Sequence, residues 1–142
     1  MAEKLQSIVF REAQKALARR DFPPKSKMNT RIVIYVPSTR SQSQNIKQKD
    51  FDERVNEVKE FVTRKLGGTT TVMGYGTYTS QSGQTVGENV AKVLAFVNYD
   101  EWKKHDQDFE KWLEHKKIEW GQESIAFEFE SPEDHASILH FV

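Results

Sequence analysis

The apolar residues alternate between strand spacing and helix spacing from residue 31 to residue 130, and this order restricts the folds open to the chain. Arg31–Val36 is a β-branched run that ends at Pro37, which predicts a buried strand. Apolar residues at helical spacing then run from Phe51 to Leu66 and stop at Gly67, a residue type that readily takes the left-handed conformation. Two strands, a second helix and a last strand are predicted after it, at residues 69–79, 90–97, 100–117 and 125–130.

The order strand-helix-strand-strand-helix-strand predicts an α+β fold, a ferredoxin-like βαββαβ sandwich. In this fold two helices cover one face of a four-stranded antiparallel sheet. We place the acidic strand at residues 125–130 at an edge of the sheet, because Glu128 and Glu130 would discourage pairing with another chain there.

One extra helix is predicted at each end of this order. Residues 3–20 carry an apolar stripe at helical spacing, and Pro23-Pro24 ends it. We therefore divide the chain into residues 1–27, an amphipathic helix with a Pro-rich linker, and residues 28–142, the ferredoxin-like domain. Ser131-Pro132 is typical of a helix start, which predicts a short C-terminal helix that carries Ile138, Leu139 and Phe141.

Composition excludes some chemistry. The 142 residues include no cysteine, which excludes disulfides, thiolate metal sites and cysteine nucleophiles. Residues 1–27 hold seven basic and three acidic side chains, whereas residues 100–142 hold five and twelve. This gradient indicates either internal complementarity with solvated helix faces, or self-association guided by the two signs. The sequence contains no apolar signal segment and no run long enough to span a membrane, so we predict a cytoplasmic protein.

Glycines interrupt the predicted strand at residues 69–79, and glycine within a strand indicates a bulge or the close approach of a backbone or ligand. One interpretation is a bent edge strand tucked under a helix. The other is a shallow pocket between this strand and the second helix. For the pocket we predict four polar contacts, of which the carboxylate could instead have a structural role. These candidate ligand-binding residues are Tyr75, Tyr78, Glu88 and Gln122.

Neither a metal nor a cofactor is predicted. The histidines, at positions 105, 115, 135 and 140, form no pair at i,i+4 and no known ligand motif. Residues 73–80 resemble one segment of RNA-recognition motifs, but Thr77 occupies a stacking position and the acidic last strand would repel phosphate. Nucleic acid is therefore not expected as a partner, and catalytic residues stay unassigned.

Several short segments together resemble the pattern of a small uncharacterised family of bacterial, phage and archaeal chains. The pattern has the form GGxT, GxY, GxxxxE and WGQES, and the resemblance covers about residues 31–130. It implies a ferredoxin-like or related α+β fold and carries no activity. The matching segments are Gly67–Thr70, the glycines at 74 and 76, Gly83 with Val86 and Glu88, and Trp120–Ser124.

These observations favour a non-catalytic protein that acts by association. A ferredoxin-like sheet leaves one face without helices, and Tyr35, Met73 and Tyr75 would be exposed there unless paired. We therefore predict a homodimer, with an accessory or regulatory role in a mobile element as an extension. The alternative is a small-molecule-binding protein or a cofactor-free enzyme whose pocket lies near the Gly-rich strand.

Overall fold

The computed structural model describes residues 6–12, 28–41, 44–133 and 138–142. Residues 6–12 are helical (α1), with exposed side chains, which confirms this part of the helix predicted over residues 3–20. The rest of that helix and the Pro-rich linker at residues 21–27 lie outside the described residues. No helix in the described ranges is long and apolar enough to cross a membrane.

A five-stranded antiparallel sheet forms the centre of the molecule, with strand order β4-β5-β1-β6-β7. Strand β1 is central and pairs with β5 from Thr30↔Val97 to Pro37↔Val90. On its other side β1 pairs with β6, from Arg31↔Glu130 to Ile34↔Phe127. The strands of the sheet are β1 (Thr30–Pro37), β4 (Thr70–Thr79), β5 (Thr85–Val97), β6 (Ala126–Glu130) and β7 (Ile138–Phe141).

The segment after β1 contains a small hairpin. Strands β2 (Thr39–Arg40) and β3 (Gln44–Asn45) pair with each other and form a separate two-stranded sheet. Ser41 has a φ of 49°, in the left-handed region, and its amide donates to the carbonyl of Gly121 at 3.0 Å. This bond attaches the loop after β1 to the turn that precedes β6.

Three helices follow along the chain: α2 (Gln48–Leu66), α3 (Tyr99–Lys103) and α4 (Asp106–Glu119). Helix α2 ends at Gly67, whose φ of 98° lies in the predicted left-handed region. It begins two residues before Asp50, which places its negative charge in the first turn. The second predicted helix is broken in two between Lys103 and Asp106.

The hydrophobic core lies between one face of the sheet and helices α2 to α4. Alternate residues of β1 face the helices, as do the alternate residues of β5, because side chains alternate across a strand. Aromatic rings from two helices meet in this layer: Phe61 of α2 stacks on Trp112 of α4 with ring centroids 4.3 Å apart. The strand residues on this face include Ile32, Ile34, Val36, Ala91, Val93, Ala95, Val97 and Phe127.

The α+β class is confirmed, but the sheet has five strands where four were predicted. Residues 138–141 form strand β7, paired with β6 from Phe129↔Ile138 to Ala126↔Phe141, so the C-terminal helix predicted there is wrong. Strand β6 therefore is not an edge. Pairing with β7 provides hydrogen-bond partners to backbone groups of β6 that would otherwise face solvent, and this outweighs the local helix-start signal at Ser131-Pro132.

Candidate functional site

The face of the sheet that carries no helix holds a groove of about 570 Å³, which we name the glycine groove. Its lining comes from β1, β4, β5, β6, β7 and from the segment that leads into β6, with no described helix residue among it. The residues that line it are Tyr35, Pro37, Gly74, Tyr75, Gly76, Thr77, Tyr78, Glu88, Val90, Lys92, Gln122, Glu123, Ser124, Ile125, Ala126 and Phe141.

Two glycines of β4 leave space above the sheet. Gly74 pairs with Val90 and Gly76 pairs with Glu88, so each glycine lies beside a groove residue of β5 on the same face. A Cβ placed on Gly76 would meet no atom within 4 Å, and one on Gly74 would make only ordinary contact with Val90. The absence of side chains at these two positions therefore opens the groove without being required by backbone strain.

A polar chain lies at one end of the groove. The Thr39 hydroxyl donates to Glu88 Oε2 at 2.6 Å, which fixes one oxygen of that carboxylate. Tyr78 lies beside both residues: burial raises the pKa of its hydroxyl, the negative charges of Glu88 and Glu123 raise it further, and a hydrogen bond with Thr39 lowers it. Tyr78 is therefore neutral at physiological pH and able to donate a hydrogen bond.

Arg54, on α2, holds this end of the groove together from the helix side. It is 7 % exposed, and its guanidinium donates to the carbonyls of Pro37 at 2.8 Å, Thr39 at 2.9 Å and Trp120 at 3.3 Å. The guanidinium also lies over the Trp120 ring, 5.4 Å from its centroid. Burial lowers the pKa of Arg54, and the nearby charge of Arg40 lowers it further.

Gln122 is joined to the same network. Its side-chain amide donates to the Thr39 carbonyl at 2.6 Å and to the Trp120 carbonyl at 3.3 Å. The Thr39 carbonyl thus accepts from Arg54 and Gln122 together, while the Thr39 hydroxyl positions Glu88. Arg54 therefore fixes the end of β1 at Pro37 and the turn after α4 at Trp120, and groove residues come from both places.

The other end of the groove carries a tyrosine and a lysine on paired positions of β1 and β5. The Tyr35 hydroxyl donates to Glu128 Oε2 at 2.6 Å, and Arg31 donates to Glu128 Oε1 at 3.2 Å. Burial, then the hydrogen bond and charge of Glu128, raise the pKa of Tyr35 to about 12. The Lys92 ammonium lies 5.1 Å from the centroid of the Tyr35 ring.

Tyr75 borders the groove in β4, but its ring lies on the opposite face of the sheet, because it pairs with Asn89 whereas the glycines on either side pair with Glu88 and Val90. It is 70 % exposed, and its ring lies across Gly87 of the neighbouring strand. A Cβ at position 87 would overlap the Tyr75 hydroxyl, so the observed ring position requires glycine there.

All four residues predicted as ligand contacts, Tyr75, Tyr78, Glu88 and Gln122, line the glycine groove, but the side chain of Tyr75 lies on the opposite face of the sheet. The pocket was predicted between the Gly-rich strand and the second helix, and this position is wrong. The groove lies on the face without helices, because the helices pack on the alternate residues of β1 and β5. Strand β4 is an edge strand, as one interpretation held, but it is largely exposed along its length rather than tucked under a helix.

Sequence reasoning missed Tyr35, Lys92 and Glu123 as groove residues. Lys92 has a signal that could have found it, since it is the one charged residue in the apolar run at residues 90–97. Tyr35 has none, because its place in the groove depends on the pairing of β1 with β5.

A second cavity of about 490 Å³ lies on the helix side, beside α3 and α4. Aromatic rings, among them Trp102, Phe109 and Phe129, dominate its lining, with Asp106, Glu110 and Glu114 also present. No three acidic or histidine side chains among the described residues come close enough to hold a metal ion. The glycine groove has the greater variety of polar groups converging on one space, which is typical of small-molecule sites.

Comparison with known proteins shows the fold but no family. No family model and no curated protein matches the chain. It is similar in structure to a phage SAM lyase in complex with S-methyl-5'-thioadenosine, with a TM-score of 0.59 and 16% identity over 85% of this chain and 95% of that one. A phage SAM lyase in the apo state gives a TM-score of 0.56 and 17% identity over 80% and 88% of the two chains.

This likeness corrects the function predicted from the sequence. We expected a non-catalytic protein acting by association, with an accessory role in a mobile element as an extension, whereas both structural neighbours are enzymes that act on a small molecule. The physical reason for the error is that the exposed sheet face was interpreted only as a surface for self-contact, whereas it carries a groove with converging polar groups. The predicted family resemblance stays a prediction.

Proposed function

We propose that the chain is an enzyme that binds S-adenosylmethionine (SAM) in the glycine groove and releases S-methyl-5'-thioadenosine. The observation that carries this proposal is the groove itself, which combines Tyr35 and Tyr78 with the carboxylates of Glu88 and Glu123 in about 570 Å³. That volume lies within the roughly 300–1,000 Å³ typical of small-molecule sites. The likeness of the fold to SAM lyases supports the choice of substrate.

The groove chemistry suits a nucleoside that bears a cationic sulfur. Purine rings stack on aromatic side chains, and Tyr78, which is 37 % exposed, offers a ring on the same face of β4 as Gly76. Ribose hydroxyls are bound by carboxylates in many nucleotide sites, and Glu88 keeps one oxygen, Oε1, outside the bond to Thr39. A sulfonium is attracted by carboxylates and by the faces of tyrosine rings.

The proposed reaction balances without a cofactor. The bond between the sulfonium sulfur and Cγ of the methionyl arm breaks, and sulfur keeps the electron pair, which yields neutral S-methyl-5'-thioadenosine. A carboxylate oxygen of the same arm forms the new bond to that carbon and closes a five-membered lactone. No proton is gained or lost, so the groove residues act by binding the substrate and holding the arm in the reactive conformation.

The finer description of the fold belongs to the same proposal. The order β4-β5-β1-β6, with α2 after β1 and α3 and α4 after β5, supports a ferredoxin-like arrangement to which β7 adds an edge strand. A cytoplasmic location agrees with a reaction on SAM. The predicted homodimer stays a prediction, and the exposed side chains of Val72 and Phe96 on the groove face are compatible with it.

The proposal is tested by incubating the purified chain with SAM and following S-methyl-5'-thioadenosine and homoserine lactone by chromatography. We expect the two products in equal amounts, above a protein-free blank that corrects for spontaneous breakdown. Glu88→Gln should lower the rate about tenfold to one hundredfold, because a hydrogen bond to a charged group contributes roughly 1.5–3 kcal/mol. The matched control is Glu60→Gln, on the exposed side of α2 and outside the groove, which should act as the wild type does.

Product formation no faster than the blank would contradict the proposed reaction. Loss of folding in Glu88→Gln, seen as a lower melting temperature, would instead assign that carboxylate a structural role through Thr39.

A further inference from the structure

We infer that Lys92 binds the carboxylate of the substrate's amino-acid arm and thereby makes the groove specific for sulfonium compounds that carry an α-carboxylate. This inference rests on the proposed function and names the part of the substrate that distinguishes it from the product. S-methyl-5'-thioadenosine has no carboxylate, whereas SAM has one.

Lys92 is placed in the groove by the sheet register. It pairs with Tyr35 on one side and with Val72 on the other, so its side chain shares the helix-free face with the groove. The ammonium lies over the Tyr35 ring, 5.1 Å from its centroid. Within the described part of the chain it forms no ion pair, although carboxylates are present on the same face at Glu88 and Glu128.

The other charged groups near Lys92 form hydrogen bonds and ion pairs with their own neighbours. Glu128 accepts from Tyr35 and from Arg31, and Arg31 also lies 3.6 Å from Glu130. The hydroxyl of Tyr35 is thereby turned to Glu128, which leaves the ring of Tyr35 as the contact of Lys92. The groove thus holds one ammonium that is without a carboxylate among the described residues.

The two ends of the groove therefore carry opposite charges. Glu88 and Lys92 lie on the same face of β5, four residues apart, which is about 13 Å at roughly 3.3 Å per residue. The Glu88 end carries negative charge, with Glu123 also in the lining, and the Lys92 end carries positive charge. A nucleoside whose ribose hydroxyls lie at the first end, with the carboxylate of its folded arm reached by the long Lys92 side chain from the second, matches both signs.

The test compares two ligands on the same variants. Binding of SAM is followed by stopped-flow fluorescence before turnover, and binding of S-methyl-5'-thioadenosine by calorimetric titration, on the wild type, Lys92→Met and Lys92→Arg. We expect Lys92→Met to weaken SAM binding about tenfold to one hundredfold, as expected for loss of a charge-assisted bond. Binding of S-methyl-5'-thioadenosine should stay within twofold, and Lys92→Arg should restore most of the SAM affinity.

Two further measurements complete the design. Decarboxylated SAM should bind the wild type and Lys92→Met equally, because it lacks the group that Lys92 would contact. Lys59→Met, on the exposed side of α2, removes the same charge outside the groove and should leave all affinities unchanged.

Equal SAM affinity in Lys92→Met and the wild type would overturn the inference, as would an equal loss of affinity for both ligands. The proposed reaction fails separately: if the wild type binds SAM through Lys92 but forms no S-methyl-5'-thioadenosine, the reaction is wrong and the inference on Lys92 stands.

Discussion

The two faces of the central sheet are built from alternate residues of the same strands, yet they differ in chemistry. On β1, Ile32, Ile34 and Val36 are fully buried against the helices, whereas Arg31 and Tyr35 on the opposite face keep contact with solvent. The helix face is closed by aliphatic and aromatic packing. The groove face holds the polar network and the glycines, so one strand supplies both the stability of the fold and a binding surface.

Because of this difference, we expect substitutions on the two faces to have different effects. Changes on the helix face should lower the free energy of unfolding, since they create cavities in a close-packed core. Changes on the groove face should alter ligand affinity at nearly constant stability, since that face is open. Arg54 is the expected exception because it crosses from the helix side to the groove.

The largest effect is expected from Phe109→Ala. Phe109 is 1 % exposed, and its ring centroid lies 4.9 Å from those of Phe61 and Trp102. Removing a buried phenylalanine ring costs about 3–5 kcal/mol of unfolding free energy. Denaturant unfolding measures this loss, and Val72→Ala, which shortens an exposed side chain on the groove face, should cost below about 1 kcal/mol. Equal losses in both variants would break the distinction between the faces.

Arg54→Met should come next, with a loss of about 3 kcal/mol, because three carbonyls lose a charged donor and become buried without it. Ligand affinity should fall in the same variant, because Thr39 and Gln122 are held through those carbonyls. Arg54→Lys keeps the charge but not the planar donor geometry, and should give intermediate values of both quantities. A variant that loses stability while keeping full affinity would show that Arg54 does not organise the groove.

Gly76→Ala should affect the ligand and spare the fold. The added methyl group meets no atom within 4 Å of its position and would project into the groove. We expect about a tenfold weaker affinity for S-methyl-5'-thioadenosine, equivalent to roughly 1.4 kcal/mol, with the melting temperature unchanged. Gly68→Ala is the control, since its Cβ also meets nothing and its position is outside the groove. Unchanged affinity in Gly76→Ala would place the ligand elsewhere.

The smallest effect is a pH dependence at Tyr35. Its folded-state pKa is raised to about 12 from 10.0, so the bond to Glu128 stabilises the fold fully below pH 10. That stabilisation is lost as the pH rises from 10 towards 12. Ultraviolet titration should show a tyrosine with a pKa of about 12 that is absent in Tyr35→Phe, and Glu128→Gln should lower this pKa by the part of the shift that the hydrogen bond and charge of Glu128 cause. An unchanged pKa in Glu128→Gln would assign the shift to burial alone.

Local patterns were enough to predict much of this molecule. The apolar stripe from Phe51 to Leu66 and its stop at Gly67 are properties of neighbouring residues, and α2 confirms them. Tyr75, Tyr78, Glu88 and Gln122 lie where glycines and turns interrupt the strands, and the structure brings all four to one groove.

Features that depend on pairing at long range were not predictable in the same way. Alternation assigns residues of β1 to two faces but does not tell which face the helices will cover, so the groove was placed on the wrong side. Strand β7 is four residues long, and its pairing with β6 is a contact between segments that the Ser131-Pro132 signal separates. Tyr35 and Lys92 meet only through the register of β1 with β5.

The location of the ligand tests the central claim most directly, and a crystal structure of the protein grown with S-methyl-5'-thioadenosine would supply it. We expect electron density for the nucleoside on the helix-free face, against Gly76, Glu88 and Tyr78. Density in the aromatic cavity beside α3 and α4, with the glycine groove holding solvent alone, would contradict it.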